Sequence, residues 1–432
     1  MNMAILHPRL LLLLVVTSST LIWFLYPPMF SYQKYWSVNG FANYLFFYLI
    51  ILACCFLTEK TSLSKPAGSP LERFRQKYAG GDALRREAFI LAVIAGAAQL
   101  LWIVRIVLKE GIGPLIQMLV VRQDFLAFKQ QVVNVTGISG VTTLTQLGLL
   151  ASSLYAIHVF GLKRKGSFWM WALILFPGVL RGLFFSERIA LLEVVLPIAV
   201  IAILFGSVRV TLPKLIASLA AVVLFFSAAE GLRSYQFYSQ TGFAKEGVYS
   251  YGLGRFLDYI SSSINHSMAM PDLAERSVGF PTLMFNGWIN LLYNFIPEST
   301  LRAFLHLDAA KQAYLNVKSS PYSAPDYTNM GYFGELFADS GYLYVVYAVL
   351  YGWFIGMAYK GIRQHQVGWM MIFPSVVFSL LEVYRVHYLF DNRMFYPLLY
   401  VFLRYLYQSY QESKSPQPRW EGGEIREAHR LA

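Results

Sequence analysis

The chain has 432 residues, of which 56% are hydrophobic, 16% aromatic and only 14% charged. A soluble domain carries about 25% charged residues, so the composition excludes an ordinary soluble enzyme and points to a polytopic membrane protein. The formal net charge is +12. In a soluble protein that excess would suggest a nucleic-acid partner, but here the Lys and Arg residues sit in short segments between apolar runs, which is the signature of membrane topology.

Taken in chain order, apolar runs of the roughly 17–25 residues needed to cross a bilayer are predicted at about 10–26, 41–58, 88–107, 140–162, 168–185, 189–207, 212–230, 341–359, 368–384 and 394–410. The first run resembles a signal peptide in position. Tyr26-Pro27-Pro28 stands where a small-residue cleavage site is needed, so the run is read as the first span. The mixed segment 108–138 reads as an amphipathic surface helix. The segment 281–296 is apolar but short. Its Asn286, Asn290 and Asn294 recur every four residues on one helical face, which suggests an interfacial or re-entrant helix. Cys54 and Cys55 are adjacent, a spacing that suits neither a disulfide with each other nor a metal site.

The fold class expected is an all-α polytopic membrane protein. It has about ten transmembrane helices and one long outer loop containing amphipathic or re-entrant helices. Residues 1–230 form an N-terminal bundle of about seven spans, 231–340 the long outer loop, 341–410 about three C-terminal spans and 411–432 a tail. The dense basic clusters at 59–87, 163–165, 209–214, 360–363 and in the tail all fall on one side of this arrangement. That side is expected to be cytoplasmic, with both termini on it.

The informative cations are those on the opposite side: Arg122, Arg181, Arg188, Arg233, Arg255, Arg385 and Arg393. Arginine near the bilayer core costs a few kcal/mol or more and is usually paired or faces a wet cavity. A guanidinium fork binds phosphate oxygens bidentately, so Arg122, Arg188, Arg233, Arg385 and Arg393 are the candidate diphosphate ligands. The plain alternative is headgroup snorkelling, or pairing with Glu187, Glu230, Asp258, Glu382 or Asp391. Arg188 opens a span, and helix N-termini favour anions.

Arg385, His387, Asp391 and Arg393 share one short turn. Glu335 and Asp339, four residues apart, share a helical face, and one of them is a candidate general base. His266, read as a loop histidine, is the other candidate base. Asn134-Val-Thr136 and Asn265-His-Ser267 match glycosylation sequons, a tripeptide pattern frequent by chance. The aromatic residues of the long segment suit either sugar stacking or an interfacial belt. No P-loop, Asp-x-Asp pair, His-Glu-x-x-His or nucleophile elbow occurs, which argues against an ATPase, a metal-dependent nucleotide-sugar transferase and a zinc protease.

Two stretches carry a resemblance. One is Phe185-Ser-Glu-Arg188-Ile-Ala-Leu-Leu; the other is Asn329-Met-Gly-Tyr-Phe-Gly-Glu335-Leu-Phe-Ala-Asp339-Ser-Gly341. Together with the layout of about ten spans and one long outer loop, they resemble the bacterial O-antigen polymerases, the oligosaccharide repeat-unit polymerases. The related ligases have a His-Asn pair near the second stretch, where this chain has Thr328-Asn329.

The resemblance implies a glycosyltransferase of the bacterial inner membrane that needs no metal or other cofactor. It would move a glycan from one polyprenyl diphosphate carrier to the nonreducing-end hydroxyl of another lipid-linked repeat unit, on the periplasmic face. The products would be O-antigen or exopolysaccharide chains. Chain-length regulator and flippase proteins are the partners it implies, with no nucleic acid. The readings that compete are a lipid-linked oligosaccharide flippase or transporter, a ligase-type transferase using His266 or His387, and a non-catalytic assembly partner.

Overall fold

A computed structural model describes residues 5–28, 32–61, 69–80, 82–113, 142–184, 188–211, 247–274, 296–304, 307–323, 329–386, 388–390 and 392–414, with scattered positions within 213–228. The described residues are helical, with no strand among them. Five helical stretches are long and apolar enough to cross a membrane: Pro8–Leu25, Val38–Lys60, Asp82–Lys109, Thr143–Gly161 and Gly331–Arg363. Phe168–Gly182, Ile189–Leu204 and Val367–Leu381 are shorter apolar helices.

The helices are α1 (Pro8–Leu25), α2 (Val38–Lys60), α3 (Pro70–Lys77), α4 (Asp82–Glu110), α5 (Leu147–Ala156), α6 (Phe168–Phe184), α7 (Arg188–Leu204), α8 (Val248–Leu273), α9 (Glu298–Phe304), α10 (Leu307–Lys318), α11 (Gly331–Ser340), α12 (Tyr344–Arg363), α13 (Val367–Leu381) and α14 (Phe395–Lys414). A 3₁₀ turn at Thr142–Gln146 leads into α5, and a π turn at Ile157–Gly161 closes it. Every residue of α5 is buried. It is the central post, packed by α4, α6, α7 and α13.

The tightest pairing is α2 with α12. Gly352 and Gly356 lie four apart on α12, against Ile51, Cys55 and Thr58 of α2. A Cβ on Gly352 would lie 2.6 Å from the Ile51 carbonyl oxygen, and one on Gly356 would lie 2.7 Å from Thr58 Cβ. In lipid no solvent drives helices together, so close backbone approach through small residues takes over. The Tyr351 hydroxyl hydrogen-bonds Ser379 at 2.7 Å and ties α12 to α13.

Side-chain contacts sort the helix ends into two groups. At one end, Arg9 pairs with Glu59 at 2.9 Å and Arg404 with Glu87 at 2.7 Å. There Arg75 donates to the Gly161 carbonyl at 3.1 Å, Arg164 to the Ala79 carbonyl at 2.6 Å and Lys360 to the Thr61 carbonyl at 2.7 Å. Phe74, Phe205 and His365 cluster beside them. Among the described residues this end holds Arg9, Arg75, Arg164, Lys360 and Arg404. The opposite end is covered by α8, α10 and α11 and carries Asp258, Asp272, Asp339, Glu382 and Arg385.

The long segment expected as an outer loop thus contains a 26-residue helix, α8, packed on α1, α2 and α11. Polar residues line its buried face: Asp258, Ser261, Ser262, Ser263, Asn265, His266 and Ser267 are each at most 1% exposed. The expected surface helix at 108–138 and the segment 281–296 lie almost wholly outside the described residues.

Candidate functional site

His266 is the centre of the polar end. The expectation of a loop histidine is corrected: it sits inside α8 and is fully buried. Its Nδ1 lies 2.9 Å from the backbone carbonyl oxygen of Asn329. A carbonyl can only accept, so Nδ1 carries the proton and the neutral ring presents a lone pair at Nε2. That Nε2 is buried and has no hydrogen-bond partner among the described residues. Burial pushes the His266 pKa below its ordinary value. The Asn329 carbonyl opposes that shift and the Lys318 charge adds to it. His266 is therefore neutral at pH 7, the state a general base needs.

The neighbours of His266 are fixed from three elements. Asn329 Nδ2 donates to the Tyr259 hydroxyl at 2.7 Å, and Arg385 donates to the same oxygen at 2.6 Å. Arg385 also pairs with Glu382, three residues earlier, and lies over the Tyr259 ring at 4.9 Å. Ser267 donates to the Met330 carbonyl at 2.9 Å. Gly331 follows with φ +75°, which favours glycine, and a Cβ there would meet the carbonyl oxygens of Tyr384 and Ser263 at 2.8 and 2.9 Å. The chain entering α11 is thereby pressed between α8 and the end of α13.

Asn265, beside the histidine, is a clamp. Its Oδ1 accepts from Tyr35 N at 2.7 Å and Trp23 Nε1 at 3.2 Å. Its Nδ2 donates to the carbonyls of Tyr322 and Gln33 at 2.7 and 3.0 Å. A buried amide with four partners has no room for a glycan, so the Asn265 sequon is structural. Asp272, at the end of α8, accepts from Tyr35 at 2.8 Å, from Asn39 at 2.5 Å and from Ser37. Burial opposes its ionisation, but these donors outweigh burial and hold its pKa below the usual carboxylate range.

The two candidate carboxylates both lie on α11. Glu335 is half-buried, and its charge contributes, after burial, to raising the pKa of Tyr314 on α10. Asp339 is buried one turn on. Their expected shared helix is observed.

The candidate arginines separate. Arg385 belongs to the His266 group. Arg393 belongs to a second centre, where it donates to Glu193 at 3.0 Å. Glu193 also accepts from Tyr388 at 2.9 Å and pairs with Arg181 at 3.3 Å. With its amide oriented to satisfy both neighbours, Gln146 donates to Glu193 at 2.8 Å and accepts from Arg181 at 2.5 Å. Among the described residues Arg181 pairs with Glu193 and bonds Thr145; Glu187, the expected partner, lies outside them. Arg188 is the first residue of α7, with its side chain outside the described set, and Arg122 and Arg233 fall outside it altogether, as do His387 and Asp391.

Sequence reasoning missed Glu193, Tyr259 as an anchor, and Asn265. The available signal for Glu193 was a lone carboxylate five residues into an apolar run, because such a charge demands a partner.

Comparison of the chain with family models, with curated proteins and with solved structures returns no match.

Proposed function

We propose that this protein is a glycosyltransferase that polymerises polyprenyl-diphosphate-linked oligosaccharide repeat units at the polar end of a membrane-embedded helical bundle. The observation that carries the reading is the neutral, buried His266. Its Nδ1 proton is fixed on Asn329, its Nε2 lone pair is unused, and the Arg385 guanidinium lies in the same hydrogen-bonded group. The resemblance of the 185–192 and 329–341 stretches to repeat-unit polymerases supplies the substrate class.

In this reading the acceptor hydroxyl attacks the anomeric carbon of the donor glycan. The new glycosidic C–O bond forms as the bond from that carbon to the carrier diphosphate breaks, and the diphosphate leaves with the electron pair. The hydroxyl proton passes to His266 Nε2, with Glu335 and Asp339 as further candidates for that role. Arg385 offsets charge developing on the leaving diphosphate, and Arg393, Arg188, Arg122 and Arg233 are the further candidate ligands. Because Nε2 is buried, the acceptor enters by opening the packing of α8 against the 329–331 segment, and closure excludes water that would hydrolyse the donor.

The basic end is the cytoplasmic side by the positive-inside rule. Ten spans then place both termini there and His266 on the periplasmic side of a bacterial inner membrane. A flippase would use charges along a path through the membrane. Glu193 pairs with both Arg181 and Arg393 inside the bundle, which favours the enzyme.

The test is purified protein with polyprenyl-diphosphate-linked oligosaccharide, chelator and no nucleotide sugar. A ladder of longer lipid-linked glycans supports the proposal. Transbilayer movement of the same glycan in proteoliposomes without a ladder assigns the protein to the transporters.

A further inference from the structure

A groove of about 780 Å³ opens between the N-terminal turns of α4 and α6, at the basic end, and His266 is not among its lining residues. Its lip is Asp82, Arg85, Arg86 and Ser167, and its wall is apolar, with Phe89, Trp169, Met170, Leu173 and Phe176. The wall belongs to the outer surface of the bundle. Phe89, Phe176 and Trp169 are 49, 57 and 79% exposed, and Ile90 and Val93 continue the apolar face along α4. The groove therefore changes from charged to hydrocarbon-like over a few turns of helix.

Three features of the lip point to one class of occupant. Arg85 and Arg86 are both exposed, and two arginines stand against one aspartate, so the lip is net positive. The first turn of α6, a 17-residue helix, supplies Trp169 and Met170 to the groove, and a helix start favours anions. The neighbouring connection adds exposed Lys163 and Lys165, and Arg164 is tied across to the Ala79 carbonyl, which holds that connection against the approach to α4. A trough that pairs guanidinium groups with a greasy wall matches a phosphate joined to acyl chains. It does not match a free anion, which has no use for the wall, or a neutral lipid, which has no use for the arginines.

We propose that this groove is a binding site for an anionic phospholipid. The phosphate lies between Arg85, Arg86 and the α6 N-terminus, and one acyl chain lies along Phe89, Leu173 and Phe176. Trp169 sits at the headgroup level as part of the site. The lipid fills the space between α4 and α6 at the end where α4 is anchored to α14 by the Glu87–Arg404 pair.

The test uses Trp169 as reporter. Full-length protein is placed in phosphatidylcholine vesicles in which a fixed fraction of the lipid carries brominated acyl chains. The brominated species is either phosphatidylglycerol or phosphatidylcholine, and quenching is read as the difference between wild type and Trp169→Phe, since the chain has nine tryptophans. The expected result is a preference of about five-fold for the anionic lipid at this reporter, lost in Arg85→Gln/Arg86→Gln. Both arginines are exposed, so the double variant keeps its fold, checked by an unchanged thermal transition; Arg86→Gln alone, with a partial loss, serves as the second variant. Equal quenching by the two lipids overturns the proposal, as does a preference that survives the double substitution. Abolition of the preference by inorganic phosphate, but not by sodium chloride of equal ionic strength, assigns the lip to free phosphate and also overturns it. The readout needs no turnover and stands apart from the polymerase reading.

Discussion

Glu193 and His266 are the hearts of two polar centres in one apolar bundle, and they are built on opposite principles. Around Glu193, four donors from the 142–146 turn, α6 and the 388–393 turn meet both carboxylate oxygens, so no acceptor capacity is left over. Around His266, the Asn329 carbonyl takes the Nδ1 proton, and the buried lone pair at Nε2 has no hydrogen-bond partner among the described residues. A saturated centre fixes geometry. A centre with one unused basic atom stores the capacity to take a proton. Glu193 thus ties α6 and α7 to Tyr388 and Arg393, while the His266 ring keeps one basic atom unused.

The comparison breaks most sharply at the saturated centre. Glu193→Ala removes the carboxylate that Arg181 and Arg393 share. Breaking a buried pair from one side costs about 3–5 kcal/mol. The expected outcome is a large fall in the thermal midpoint in detergent, and Glu193→Gln, which keeps the shape and two acceptor lone pairs, falls less. An unchanged midpoint for the alanine variant would remove Glu193 as the organising residue.

His266→Ala is expected to do the reverse. The fold persists and, under the proposed function, turnover of lipid-linked glycan drops about 10²–10⁴-fold, the usual contribution of a positioned base. His266→Gln separates the two roles of the ring. Its amide restores the donor to the Asn329 carbonyl but supplies no base. Activity recovered in the glutamine variant would make His266 a positioning residue and transfer the base role to Glu335 or Asp339.

Asn265 is intermediate in size. Asn265→Ala strands Trp23 Nε1, the Tyr35 amide and the carbonyls of Gln33 and Tyr322. At about 1–3 kcal/mol for a buried polar group left unsatisfied, the loss is measurable by denaturant or thermal unfolding. Because Asn265 adjoins His266, a loss of turnover with intact helicity in this variant reports on the orientation of α8.

The fold was legible where its physics is local. The apolar runs at 10–26, 41–58, 88–107, 140–162 and 341–359 coincide with helices long and apolar enough to span a membrane, because hydrocarbon forces an unbroken polar-free stretch. Basic clusters such as 163–165 and 360–363 do meet at one end of the bundle. Long-range pairing was not legible. Nothing in Arg181 names Glu193, twelve residues on in the next helix, over the nearer Glu187. Residues 261–263 fall in the stretch expected as a long outer loop, yet they lie in α8, packed against α1, α2 and α11. The close approach at Gly352 and Gly356 likewise depends on a partner helix, α2, that the α12 sequence does not name.

The smallest expected effect is the pH dependence of stability, and it distinguishes the two centres without an assay of activity. His266 takes a proton less readily in the folded protein than in the unfolded chain, because burial lowers its pKa. Stability from keeping it neutral is complete above the ordinary histidine value of about 6.5. It declines as pH falls from there toward the lower folded value, where the unfolded state binds the proton first. Asp272 acts in a separate window. Its pKa is lowered from the usual 3.8, so its contribution is complete above that value and is lost only at more acid pH. Between pH 7 and 5, therefore, acidification should lower the thermal midpoint of wild type more than that of His266→Gln. Parallel curves for the two proteins over that range would mean that His266 takes up its proton in the folded state as readily as in the unfolded one, and the contrast between a saturated and an unused centre would collapse.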